Sequence, residues 1–288
     1  MIKMIKPIVN ISKVIEPFNT VVVGCSGVLT EGNGVKSEAV EALVSLKRKG
    51  KHIILLSNTA RRVESMVAWL HENKVPLAVF DAVVTAGEIL HYKFKARQGE
   101  FAALGTTYYC LGDCREMGMF ANLGYQRTDD LSRADFMYVS EVCGAKTIDD
   151  FLPSLEHAAG LGIPMVCAGN DTSTYCNGDI GLAPGALAEQ YAVLGGKIIT
   201  VGKPDAKIIA YALDGVPGVK KESVVVIGDN IATDIKGANL LGVSSILVSK
   251  GVHVNFLGEG YIPDVAKTRE LATNFDAYPD FVVSNLRW

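Results

Sequence analysis

Long apolar runs are missing from this sequence of 288 residues. No stretch approaches the roughly 20 apolar residues needed to span a bilayer, which argues against a helical membrane protein. Met1 to Thr20 lacks the charged start, apolar centre and small-residue cleavage site of a secretory signal, so a cytoplasmic protein is expected. Clustered positive charge is also missing. The 28 Lys and Arg residues are scattered among 31 Asp and Glu, for a formal net charge of −3. That balance supplies no field for nucleic acid, and the expected partner is a small molecule or another protein. The six cysteines form no C-x-x-C pair and the five histidines no H-E-x-x-H group, which removes the common zinc and redox motifs. Cys110 and Cys114 accordingly read as reduced thiols rather than as a metal or disulfide pair.

Apolar residues, by contrast, make up 49% of the chain against 20% charged, enough at this length for two buried cores. Val21-Val22-Val23 is a β-branched run that stops at Gly24-Cys25-Ser26-Gly27. That is the pattern of a buried strand delivering a loop to the edge of a parallel sheet. Residues 37–49 carry apolar side chains at Val40, Leu43, Val44 and Leu46, basic residues at the end and Gly50 beyond, an amphipathic helix with its stop signal. Strands at 52–56 and 82–85 and helices at 62–73 and 87–95 continue the alternation, which predicts a parallel sheet. After a connector at 99–104, a second set is expected: strands at 108–111, 136–139 and 165–168, and helices at 115–123, 148–161 and 184–193. The final third resumes the first rhythm with strands at 198–201, 224–227, 245–248 and 281–283 and helices at 206–213 and 233–241. The expected architecture is α/β: a parallel-sheet core from residues 1–88 and 199–288, with an inserted α/β domain at 89–198.

Four strand ends terminate in residues suited to an anion or a metal: Gly24 to Gly27, Ser57-Asn58, Gly202-Lys203-Pro204, and Gly228-Asp229 with Asp234 five residues on. Taken singly, Ser57 reads as a helix N-cap, Lys203 as a surface lysine, and Asp229 with Asp234 as a turn and a cap. Taken in order, with Pro184-Gly185-Ala186-Leu187 ahead of the lysine, they resemble the haloacid dehalogenase (HAD) superfamily. The resemblance is to its class IIA branch, the pyridoxal-phosphate and 4-nitrophenyl-phosphate phosphatases with a large cap inserted between the second and third motifs. It covers nearly the whole chain from Val21 onward. What it implies is a HAD-like Rossmannoid core with an inserted cap domain, acting on phosphorylated small molecules with Mg²⁺. In that resemblance Ser57 donates to a phosphate oxygen and the backbone N–H of Asn58 joins the same cradle. Lys203 neutralises phosphate charge and steadies the nucleophile, Asp229 is a ligand of Mg²⁺, and Asp234 binds it through water. Gly169-Asn170-Asp171 resembles the cap loop that faces the substrate, and reads equally as a plain Asn-Asp turn. Gly112-Asp113 imitates the fourth motif but lacks its partner acid. With Glu116 only three residues on, it reads as a turn of the inserted domain. Caps of this class often pair, which implies a homodimer through the cap.

One motif departs from the family. Its first motif is D-x-D-G-[VT]-[LV], whereas this chain has Gly24-Cys25-Ser26-Gly27-Val28-Leu29. The first Asp of that motif is the nucleophile and the second the general acid and base. Gly24 has no side chain with which to attack phosphorus or bind a metal, and Ser26 is a poor acid or base near neutral pH. Cys25 is next to Gly24 in an extended segment and is expected to turn to the opposite face. The expected function is therefore a phosphatase fold with a retained phosphate pocket, hydrolytically silent or strongly impaired, and with weakened Mg²⁺ binding. Two alternatives stand beside it: an active Mg²⁺-dependent hydrolase of a small phosphate monoester, and a structural or dimerising protein acting through its cap surface.

Overall fold

The computed structural model describes residues 4–31, 34–113, 118–142, 146–176 and 179–288. The chain runs through β1 (Lys6–Pro7), β2 (Thr20–Val23), β3 (Thr30–Glu31), β4 (Gly34–Val35), α1 (Ser37–Arg48), β5 (His52–Ser57), α2 (Val63–Glu72), β6 (Ala82–Thr85) and α3 (Ala86–Ala96). It continues with β7 (Thr107–Leu111), β8 (Gln126–Thr128), β9 (Phe136–Val139), α4 (Leu152–Leu161), β10 (Met165–Ala168), β11 (Ser173–Cys176), β12 (Asp179–Leu182), α5 (Pro184–Val193) and β13 (Ile198–Val201). The last third holds α6 (Ala206–Leu213), β14 (Val224–Gly228), a π-helical turn at Ile231–Ile235, α7 (Lys236–Leu241), β15 (Ser244–Val248), α8 (Val254–Leu257), α9 (Val265–Phe275) and β16 (Phe281–Val283).

Seven strands form one parallel sheet in the order β1-β16-β15-β14-β2-β5-β6. Within it β2 lies between β14 and β5, with Val22 opposite Ile54 on one side and Val226 on the other. Strand order reverses there: β5 and β6 extend to one side, β14, β15 and β16 to the other. Such a reversal opens a crevice at the carboxyl ends of the strands, the usual ligand position in an open parallel sheet.

Alternation along each strand sorts its side chains onto two faces. Val21, Val23, Ile53, Leu55, Val225 and Ile227 pack with Leu43 and Leu46 of α1 and with Met66 and Leu70 of α2. Val22, Ile54 and Val226 face the other way, into a cluster that includes Phe94 of α3 and Ile209 of α6.

A second parallel sheet has the order β13-β10-β9-β7-β8. It corrects one strand assignment. Residues 198–201 were expected to resume the core sheet, but β13 pairs with β10, Met165 opposite Ile198 through Ala168 opposite Val201. The unit β10-α5-β13 is an ordinary parallel crossover, and a four-residue apolar run carries no mark of which sheet it will join. The chain changes sheet after Val201, at Gly202-Lys203-Pro204. The cluster around Phe94 also contains Tyr138, Val166 and Ile199 of the second sheet, so one apolar body joins the two sheets under the crevice.

The helix expected at 115–123 begins outside the described residues, as do Cys114, Glu116 and Cys143. Residues 118–124 form turns. Among the described residues no helix is long and apolar enough to cross a membrane.

Candidate active site

Three strand ends and the segment that follows β13 converge on the crevice. Gly24, Ser26, Ser57, Asn58, Asp171, Lys203, Asp229 and Asp234 all line one cavity of about 360 Å³. Gly24, Ser57, Asn58 and Asp229 stand at or just beyond the last ladder pairs of β2, β5 and β14, so the sheet fixes their positions, while Asp234 is brought in by the π-helical turn that follows β14.

Lys203 is 5% exposed. Its ammonium donates to Oδ1 of Asp234 at 2.6 Å and to the carbonyl of Leu56 at 3.1 Å. Burial alone pushes its pKa down, but the carboxylates of Asp234, Asp171 and Asp229 outweigh it and the net direction is up. The other oxygen of Asp234 accepts from the backbone N–H of Asn230 at 3.2 Å. Asp229 is 6% exposed and accepts from the Val252 N–H at 2.8 Å. Burial, reinforced by the nearby Asp234, pushes its pKa up to about 8.

Glycine makes room for both acids. A Cβ on Gly27 or Gly251 would collide with the Asp229 side chain, and one on Gly228 with Asp234. Gly27 also has φ +68, a conformation other residues rarely adopt. Gly24 is different. An ideal Cβ there would meet nothing nearer than 3.5 Å and would lie 3.6 Å from Asp234 Oδ1. Position 24 therefore faces the charged centre with space for a side chain it does not have.

Ser57 Oγ accepts from the Thr59 N–H at 3.3 Å. Among the described residues its hydroxyl hydrogen has no acceptor, so it is available to the cavity. The Asn58 side chain does something the motif did not suggest. Its Oδ1 accepts from the Lys203 N–H at 2.7 Å and its Nδ2 donates to the Lys203 carbonyl at 3.0 Å, clamping the backbone of Lys203 at both its N–H and its carbonyl. Asn170 donates to the same carbonyl at 3.3 Å and stands behind the cavity wall rather than in it. Asp171 does reach the cavity. Its Oδ1 accepts from Asn230 Nδ2 at 2.8 Å and from Thr233 Oγ1 at 2.6 Å, so it ties the loop after β10 to the loop after β14. Burial pushes its pKa up.

Ser26 is exposed at the mouth. Cys25 lines the cavity while packing in the apolar cluster beneath α1, and burial pushes its thiol up to about 12. A thiolate there is out of reach near neutral pH. Asp113 pairs with Lys146 at 3.3 Å, away from the cavity.

Three cavity residues escaped the motif reading. Thr59 and Arg61 stand on the loop after β5 and Glu141 on the loop after β9. Glu141 Oε1 accepts from Thr59 Oγ1 at 2.8 Å and from Arg61 Nε at 3.2 Å. Only proximity to Ser57-Asn58 marks Thr59 and Arg61 in the sequence. Nothing marks Glu141.

The model of haloacid dehalogenase-like hydrolases matches residues 18–242. The chain belongs to this family. A second model, of HAD-hydrolase-like domains, matches residues 200–288. The HAD chain is 25% identical over 253 residues to the sugar-phosphatase AraL of Bacillus subtilis, covering 85% of this chain and 88% of that one. It is 27% identical over 235 residues to the ribonucleotide monophosphatase NagD of Escherichia coli, covering 81% and 88%. Among solved structures, a haloacid dehalogenase-like hydrolase from Brucella suis superposes with a TM-score of 0.81 at 25% identity, covering 96% of this chain and 98% of that one. A 4-nitrophenylphosphatase from Thermotoga maritima shares the fold, with a TM-score of 0.66 at 22% identity over 94% and 96%. These relatives are of the class IIA type that the motif order resembles.

The family implies Mg²⁺, and the donor set here does not fit a tightly held one. Gly24 offers no ligand, both Asp234 oxygens are hydrogen-bonded to Lys203 and Asn230, and one Asp229 oxygen is taken by Val252. Among the described residues no group of three His, Cys, Asp or Glu side chains is placed to hold a metal ion. Mg²⁺ prefers several fixed carboxylates or phosphate oxygens in near-octahedral array.

Proposed function

We propose that this HAD-family chain binds a phosphorylated small molecule in the crevice cavity and does not hydrolyse it at a rate typical of its relatives. The observation that carries the reading is Gly24. It stands at the end of β2, beside Asp234 and Lys203, where the family places the attacking carboxylate. Phosphate monoester hydrolysis is among the slowest uncatalysed reactions, needing up to about 10²¹-fold acceleration. A site without a nucleophile gives up the covalent route to that acceleration.

The binding half of the site is retained. The Ser57 hydroxyl is free to donate, Lys203 is fixed by two hydrogen bonds, and the Asn58 clamp holds the lysine loop in register with β5. Loss of two family carboxylates lowers the repulsion met by an incoming phosphate. A unit-charge pair about 4 Å apart interacts by about 4 kcal/mol at an effective dielectric of about 20. Binding therefore depends less on Mg²⁺ than it does in the relatives.

Calorimetric titration of inorganic phosphate with and without Mg²⁺ tests the reading. Binding that persists without Mg²⁺ is expected, and absence of binding in both buffers overturns it. A second reading, an active hydrolase, is favoured by the assembly of Ser57, Lys203, Asp229 and Asp234 around one cavity. A 4-nitrophenyl phosphate assay with Mg²⁺ separates the two, with Lys203→Ala as the control for contaminating phosphatase. Turnover lost in that variant establishes the second reading.

A further inference from the structure

Adjacent arginines on the loop between β5 and α2 have different surroundings. Arg62 is fully engaged: Nε and Nη2 grip the two oxygens of Glu88 at 2.7 and 2.8 Å, and Nη1 donates to the Gly118 carbonyl at 3.3 Å. Arg61 makes one side-chain hydrogen bond, from Nε to Glu141, and among the described residues Nη1 and Nη2 have no partner. Its side chain is 27% exposed and lines the cavity.

The posture of that guanidinium is fixed rather than loose. Glu141 Oε1 is held in place by Thr59 Oγ1 and in turn holds Arg61 Nε. The two terminal nitrogens of a guanidinium form a planar fork that matches a carboxylate or phosphate. Among the described residues the other cation lining the cavity is Lys203, two of whose three ammonium donors are taken by Asp234 and Leu56, so the Arg61 fork adds a separate planar cationic donor to the one the lysine offers. Met66 and Trp69 line the same cavity, and apolar walls strengthen a charged hydrogen bond.

We propose that Arg61 is a second anion subsite, selecting phosphorylated ligands that carry another carboxylate or phosphate away from the ester phosphate. The inference rests on the cavity being a phosphate site, and adds which phosphate esters it prefers. Glu141 acts against the ligand here. It orients Arg61 through Nε but offsets part of its charge.

Matched pairs of probes test this by calorimetry on the full chain. 3-Phosphoglycerate is compared with glycerol 3-phosphate, and fructose 1,6-bisphosphate with fructose 6-phosphate. In at least one pair the member with the second anionic group should bind about tenfold tighter than its partner, the scale of a charge-assisted hydrogen-bonded pair, and the pair that shows the gain identifies the second anion. Arg61→Gln should bring that ratio to about one. Glu141→Gln should raise it, a change of opposite sign that a merely structural role would not produce. Arg61→Lys keeps the charge without the fork and should give an intermediate ratio, which carries the test if the glutamine variant does not fold. Equal affinities within both pairs in the native chain overturn the subsite and leave the phosphate site standing. If neither inorganic phosphate nor any ester binds, the phosphate site falls and the subsite with it.

Discussion

Lys203 and Asp234 meet at 2.6 Å with side chains only 6% and 4% exposed, and the oxygen of Asp234 that receives the ammonium is the one facing the bare α-carbon of Gly24. The pair lines the cavity, with the lysine loop clamped by Asn58 and the aspartate loop held at Asn230. It is the electrostatic centre of the crevice, and it is complete without residue 24.

A buried pair of this kind behaves asymmetrically on mutation. Losing one partner strands the other in low dielectric, a cost of about 3–5 kcal/mol, whereas replacing both with apolar residues of similar size is often neutral. Lys203→Met and Asp234→Leu should each lower the free energy of unfolding by that order. The double variant should recover most of the loss. Urea denaturation of the three proteins checks this, and a double variant as unstable as the sum of the singles would show that the two side chains act separately.

Restoring the missing carboxylates probes the same centre from the other side. A Cβ fits at position 24 without collision, but it brings a carboxylate up to Asp234 Oδ1. Gly24→Asp should lower Tm by several degrees, about 1–2 kcal/mol for a chain of this size, and Mg²⁺ should recover part of the loss by bridging the new acid and Asp229. Gly24→Asp with Ser26→Asp should then gain Mg²⁺-dependent phosphatase activity. Continued silence in a folded double variant would mean that the pocket has drifted in more than its first motif.

The repeating strand and helix pattern was legible because apolar β-branched runs and 3.6-residue periodicity announce themselves locally. Thus β2, β6, β9 and β10 fall where their sequences place them. The strand β13 was legible as a strand but not as a member of the second sheet, because pairing is a long-range choice. The helix α9 was missed, although Asp264 caps it by accepting from the Lys267 N–H. Its buried positions, Thr268, Leu271 and Ala272, include little that is strongly apolar. At the site, the convergence of Ser57, Lys203, Asp229 and Asp234 on one cavity was legible from motif order. The Asn58 clamp was not, since a side chain holding a peptide 145 residues away leaves no mark in sequence. Glu141 was hidden for the same reason.

Gly27 offers a controlled measurement of how tightly Asp229 is enclosed. Gly50 and Gly27 have nearly the same backbone, φ +71 and +68, but a Cβ on Gly50 meets nothing within 4 Å while one on Gly27 strikes the Asp229 carboxylate. Gly50→Ala should therefore cost only the left-handed strain, about 1 kcal/mol. Gly27→Ala adds overpacking of about 1–3 kcal/mol, for a total near 3, as Asp229 is displaced from the Val252 N–H. Equal destabilisation of the two variants, by thermal or urea unfolding, would show that the Asp229 pocket yields freely.

Acid stability turns on His253. Its Nε2 accepts from the Ile231 N–H at 3.1 Å, which assigns the ring proton to Nδ1 and keeps the imidazole neutral. Burial pushes its pKa down to about 4 from 6.5. In the unfolded chain the ring takes up a proton near pH 6.5, while in the folded chain it resists until about 4, so protonation in this window favours unfolding. Its contribution is fully present above pH 6.5 and declines as pH falls toward 4, by about 2–3 kcal/mol in all. His253→Gln keeps an acceptor for the Ile231 N–H and removes the titration. Unfolding free energies measured from pH 8 to pH 4 should fall less steeply below 6.5 in the variant than in the native chain. Parallel curves across that window would place the acid sensitivity elsewhere.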